Sequence, residues 1–178
     1  MRGLAFITGV VLLCGPILSA QSGADPGAAA QGTAGQHQEA WGKVAAQWHC
    51  PAESASHKLE VGDVPDHSYV ISQGTCSISS KDGGLPEKSA AFTEFDETWK
   101  DSYKFHGRAN VTLENGDRVF YSYEGSANDA SKPPVENWKL TGGTGKYKAI
   151  KGSGSCAGKT NSDGTSDWNC TGTYSLGK

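Results

Sequence analysis

One carboxylate in this 178-residue chain sits where its surroundings could give it chemistry. Glu124 lies in a stretch, 105–126, that folds back on itself about Asn115-Gly116. Both of those residues tolerate positive φ, so the pair predicts a tight two-residue hairpin turn. Such a turn sets Phe105 opposite Ser126, Gly107 opposite Glu124 and Val111 opposite Phe120, which gathers Phe105, Val111, Phe120, Ser122 and Glu124 on one face. An acid among apolar neighbours has its charged form penalised, so its pKa rises and it becomes a candidate acid/base or ligand anchor. These five residues are the expected lining of a binding lumen, and Glu124 is the one candidate for catalysis. The plainer alternative is a solvated Glu124 at the strand end, paired with a lysine. Arg108 and Tyr123 fall on the opposite face, where a surface cation–π pair is expected. Glu94, Asp96 and Glu97 read most simply as a solvated acidic edge.

Other chemical signals fail on spacing. Gly142-Gly143-Thr144-Gly145-Lys146 invites a phosphate-loop reading, but Leu140 and Tyr147 stand where that loop needs Gly and Ser or Thr. Gly152-Ser153-Gly154-Ser155-Cys156-Ala157 misses the dinucleotide pattern, and no Gly-x-Ser-x-Gly elbow is present. His49, Cys50, His57, Asp63, Asp66 and His67 are rich in ligand atoms but match no zinc spacing, so no metal and no cofactor is expected. The net charge is −3 with no basic block, which argues against nucleic acid or anionic membranes as partners.

Cysteine placement is more informative. Cys156 and Cys170 flank the turn-forming run Asn161-Ser162-Asp163-Gly164-Thr165 symmetrically. An antiparallel hairpin turning at Asp163 brings the two thiols face to face, close enough for a cross-strand disulfide. Closing that loop stabilises by ~3 kcal/mol on the chain-entropy model. Cys50 and Cys76 then form the second pair, because Cys14 lies in a segment expected to be removed. That segment, 1–20, reads as a signal peptide: Arg2, an apolar run from Leu4 to Leu13, then small residues, with cleavage after Ala20 or Ala24. The run is too short to span a bilayer, so the mature chain has no expected membrane segment. Residues 21–38 are a Gly/Ala/Gln-rich leader without the apolar bulk to order itself, and 39–178 form one domain. The compartment is therefore periplasmic or extracellular.

The elements that must position these residues are mostly strands. The same hairpin register sets Gly158 opposite Trp168 and Gly152 opposite Tyr174, aromatics that would cover bare backbone where strands bend sharply. Glycine this dense suits a curved, closed sheet. Further strands are expected at 68–73, 75–80, 136–141 and 146–150. Phe92, Phe95, Trp99 and Tyr103 recur at helical spacing, so 90–103 reads as a short helix or irregular loop, and 41–50 as a short helix ahead of the sheet. The whole is all-β: an antiparallel barrel of about eight strands preceded by a short helical or irregular segment.

The segment 138–154, Trp-Lys-Leu-Thr-Gly-Gly-Thr-Gly-Lys-Tyr-Lys-Ala-Ile-Lys-Gly-Ser-Gly, resembles the Gly-Gly-Thr-Gly-(Lys)-aromatic…Gly stretch of allene oxide cyclase and dirigent-like β-barrels. It is also similar to the ending of a set of small exported bacterial proteins. The resemblance implies an eight-stranded, calycin-like barrel with an apolar central cavity, and it carries over no catalytic residue. Three functions follow: binding of a small apolar or amphipathic molecule in the lumen without catalysis, a cofactor-free cyclase or isomerase, or a structural role for a solid barrel.

Overall fold

The computed structural model describes residues 41–129 and 132–177; the expected signal peptide and leader lie outside these residues. Nine strands follow in order: β1 (Trp41–Cys50), β2 (Ala55–Glu60), β3 (Ser68–Ser80), β4 (Glu87–Trp99), β5 (Ser102–Leu113), β6 (Arg118–Ala127), β7 (Val135–Gly143), β8 (Lys151–Thr160) and β9 (Ser166–Ser175). Their order in the sheet is β1-β9-β8-β7-β6-β5-β4-β3-β2, and β3 returns to pair with β1. Every pairing is antiparallel. Eight strands thus close a barrel, and β2 is an extra strand on the edge of β3. Closure leaves those eight without a free edge.

The closing seam is short. β3 gives its first half to β2 and only Ser77–Ser80 to β1, opposite Ala46–His49. Continuing that register by one pair sets Cys50 opposite Cys76, and their disulfide staples the barrel where hydrogen bonding is thinnest. The second disulfide joins β8 to β9 between register partners Cys156 and Cys170, with Gly158 facing Trp168, as the turn symmetry requires. Cross-links of this kind fit an oxidising compartment. Among the described residues, no helix is long and apolar enough to cross a membrane.

Inside, glycines and aromatics tile one another. A Cβ at Gly42, Gly74, Gly107, Gly125 or Gly158 would collide with the ring of Tyr174, Phe92, Tyr123, Phe105 or Trp168 respectively. In each case the ring belongs to the residue directly opposite on the neighbouring strand. Each bare backbone site is covered by the ring across from it, which allows tight curvature and keeps the interior apolar. Tyr174 faces Gly152 as expected, but its ring leans the other way, onto Gly42.

Three expected elements differ. Residues 41–50 are a strand, because Val44, Ala46, Trp48 and Cys50 alternate inward at period two. Residues 90–103 are β4, a turn at 100–101 and the start of β5. The helix-like spacing there mixes two faces: Phe92 and Tyr103 line the lumen, whereas Phe95 is an exposed hydrophobic whose ring lies tilted against His106. Residues 146–150 are not a strand; Gly145–Tyr147 form a single 3-10 turn. Tyr147 and Ile150, three residues apart, both bury there, which is turn rather than strand spacing.

Candidate functional site

The register of the β5–β6 hairpin decides what lines the barrel. Glu114-Asn115-Gly116 form a three-residue loop: Gly116 N–H donates to Leu113 O, Leu113 N–H donates to Asp117 O, and Gly116 sits at φ 85°. The expected two-residue turn is therefore one residue off. Val111 faces Val119, Phe105 faces Gly125, and His106 faces Glu124. A one-residue slip transfers a whole strand to the other face. Phe105 and Val111 point inward, and Phe105 borders the lumen. Phe120, Ser122 and Glu124 belong to the outer face, where Glu124 is exposed between His106 and Asn137. Tyr121 and Tyr123 take their places inside. Glu124 is thus no buried acid, and Tyr123 no surface partner for Arg108.

The lumen is a cavity of about 320 Å³. Its walls are aromatic: Trp48, Phe92, Tyr103, Phe105, Tyr121, Tyr123, Trp138 and Trp168 all border it. The rings touch edge to face, Phe105 against Trp168 at 5.9 Å and Tyr121 against Trp138 at 5.3 Å between centroids. Five carboxyls share the same space: Glu53, Glu87, Glu94, Asp96 and Glu136. No Lys, Arg or His is among the described residues that line it. Glu94 and Asp96 were expected on a solvated edge. The alternation of β4 instead carries Ala90, Phe92, Glu94 and Asp96 inward together and leaves Glu97 outside with Tyr69.

Burial governs how Glu87, Glu94, Asp96 and Glu136 titrate. Desolvation pushes Glu94 up to about 8, reinforced by the charge of Asp96 beside it and opposed by a hydrogen bond from Tyr123. The Tyr123 ring lies over Gly107, the β5 partner of Glu94, which brings its hydroxyl to that carboxyl. Desolvation also raises Asp96 to about 6, helped by Glu53, and Glu136 to about 7. Ligand-capable oxygens of Glu53, Glu94 and Asp96 lie within 4.8 Å of one another.

Glu87 is the fifth acid and the one with no sequence signal. Alternation through Ala90 and Phe92 would turn it outward, but the ladder slips between Glu87 and Ser89. That bulge re-aims Glu87 into the barrel, where it is 2% exposed. Ser80 holds the bend, accepting from Glu87 N–H at 2.8 Å and donating to Leu85 O at 2.7 Å. Tyr121 donates its hydroxyl to Glu87 Oε1 at 2.5 Å. Desolvation raises Glu87 to about 7 against that hydrogen bond. The indole of Trp48 also lowers it slightly, although no well-formed hydrogen bond joins the two.

The ligand-rich residues of the sequence do not assemble into one site. His49 pairs with Asp167 at 2.7 Å on the barrel's outside, and Cys50 is in its disulfide. His67 is buried between Asp63 at 2.6 Å and Glu97 at 3.2 Å and stacks on Trp99 at 5.0 Å between centroids. Its pKa is raised, first by Asp63 and then by Glu97 against desolvation, and its two ring nitrogens tie the β2–β3 loop to β4.

Among solved structures the chain is similar to a pterocarpan synthase dirigent protein, with a TM-score of 0.48 and 13% identity over 78% of this chain and 92% of that one. No family model and no curated protein matches the chain.

Proposed function

We propose that this barrel is an exported, non-catalytic receptor that holds a small amphipathic molecule in its lumen. Residues 1–20 direct export and 21–38 are a leader ahead of the binding domain. The observation that carries this reading is the cavity itself: about 320 Å³, walled by aromatics, with five carboxyls and no cationic side chain among its described lining. Aromatic faces take an apolar body, and together with unpaired carboxylates they favour a basic group over an acidic one. The ligand is therefore an amphiphile whose polar part is an amine.

Octylamine and octanoate share a chain and differ in charge, so tryptophan fluorescence titrations with the two test the proposal. Octylamine is expected to bind, at least tenfold more tightly at pH 8.5 than at pH 5.5, because a carboxyl must lose its proton to pair with the ammonium group. Octanoate is expected to bind more weakly at both values. Failure of octylamine to bind at either pH sinks the reading.

A second reading rests on Glu94 and Asp96 alone. Neighbouring carboxyls titrating at about 8 and about 6 divide into an acid and a base near neutral pH, as a cofactor-free cyclase or isomerase needs. In this reading the pair replaces Glu124 as acid/base. Glu94→Gln with undiminished turnover of a cyclisable substrate would rule it out.

A further inference from the structure

The deep end of the lumen contains polar atoms that the barrel leaves without partners. Trp48 Nε1, Trp138 Nε1 and Glu87 Oε2 are buried, and none has a hydrogen-bond partner among the described residues. All three side chains border the cavity. They meet around one ring: Tyr121 stands edge-on to Trp48 at 6.1 Å and to Trp138 at 5.3 Å, and its hydroxyl goes to the other oxygen of Glu87. Orphaned buried polar atoms are rare, because each gives up its hydration without replacement. Three around one cavity point to a group that belongs there.

The atoms also specify that group. Tyr121 is committed to Glu87 Oε1, and the Trp48 indole acts on the same carboxyl without a formed hydrogen bond, so two N–H donors and one carboxyl oxygen remain for a guest that draws them together. An ammonium group cannot accept from the indoles. A carboxylate can accept from them, but it would bring a second acid against Glu87. A hydroxyl accepts from the indoles and donates to the carboxyl with the same atom.

We infer that Trp48, Glu87 and Trp138 form a hydroxyl slot at the deep end of the lumen, which takes the alcohol end of an amphipathic ligand. This rests on the lumenal binding proposed above and adds an orientation to it. The alcohol goes in first, the apolar body lies among the rings, and the amine stays with Glu94, Asp96 and Glu136. The ligand class is thus an amino alcohol with an apolar spacer. The bulge at Glu87 and Ser89 acquires a purpose as well, since it alone aims the acid at the slot.

Octylamine and 8-aminooctan-1-ol separate the slot from the lumen. With the full chain ¹⁵N-labelled at tryptophan, the amino alcohol is expected to bind about fivefold more tightly than octylamine, the worth of a net hydrogen bond. It should also shift the indole N–H resonances of Trp48 and Trp138, whereas that of Trp41, 62% exposed at the start of β1, stays in place. Trp138→Phe removes a donor and keeps a ring, and Glu87→Gln keeps the shape. Either variant should bring the affinity ratio of the two probes close to one, and two are used in case one fails to fold. Equal affinities in the wild-type chain, with both buried indoles unmoved, would mean that water alone occupies the slot. That result overturns the slot and leaves the lumenal reading standing, whereas binding of neither probe overturns both.

Discussion

The two ends of the barrel solve opposite problems. At the end where β5 runs into β6, Leu85, Leu113, Val119, Tyr147 and Ile150 pack to between 0% and 4% exposure and close the barrel with a solid apolar floor. At the other end Glu53, Glu94, Asp96 and Glu136 stand among aromatic rings around open space. The strands are continuous between the two, so the contrast lies in which side chains each strand turns inward at each height. Burying Leu113 stabilises the fold, whereas burying Glu94 costs it. The floor is the part of the interior built for stability. The mouth keeps acids that a stability-driven core would exclude, which is what marks it as the candidate site.

The most direct way to break this comparison is to damage the floor. Leu113→Ala opens a void in fully packed surroundings and should destabilise the barrel by about 3 kcal/mol, read from chemical denaturation. A loss below about 1 kcal/mol would mean that the floor is loose and the two ends are not different in kind.

The mouth should respond in the opposite direction, and with pH. Glu94, Asp96, Glu136 and Glu87 titrate at about 8, 6, 7 and 7 in the folded chain, above their ordinary values of 4.5 for Glu and 3.8 for Asp. The native state therefore holds protons that the unfolded chain has released by pH 5. The stabilisation from these protons is complete below about pH 4 and is lost as pH rises through 6 to 8. Melting temperature of the ligand-free protein should fall across that window by on the order of 5 °C. Glu94→Gln should remove much of the slope and stabilise the chain at pH 8 by on the order of 2 kcal/mol. His67 also binds its proton more tightly when folded and adds to the same slope, so a His67→Gln control separates loop from lumen. A melting temperature that rises from pH 5 to pH 8 would show that the mouth carboxyls are solvated.

How much of this was legible depends on how each element announces itself. The β8–β9 hairpin could be read to the residue because two cysteines and a glycine turn agreed on one register. In the β5–β6 hairpin two signals conflicted. Asn115-Gly116 suggested a two-residue turn, while Val119, Tyr121 and Tyr123 formed the more apolar alternation beside Phe120, Ser122 and Glu124. The alternation was the better guide, since burial constrains a strand more than the turn does. β4 was hidden for a related reason: aromatics on both of its faces produce a false helical period, and Glu94 and Asp96 were lost with it. Glu87 could not have been found at all. Its inward aim depends on a bulge held by Ser80, a contact between strand ends that leaves no local pattern.

The smallest expected effect tests the register on which the site rests. Glu124 faces His106 and Asn137 on the outer surface and is exposed there. Substituting it with Gln removes one charge from a solvated position, so stability should change by less than about 0.5 kcal/mol. Octylamine affinity should stay within twofold, because the ligand would lie on the other side of the sheet. The two-residue turn makes the contrary prediction: with Glu124 in the lumen, the same substitution would raise stability at pH 8 and weaken amine binding. One conservative variant thus distinguishes two structures that differ by a single residue of slip, and a change of the Glu94→Gln kind at position 124 would return the acid to the lumen and move the mouth to the opposite face of β6.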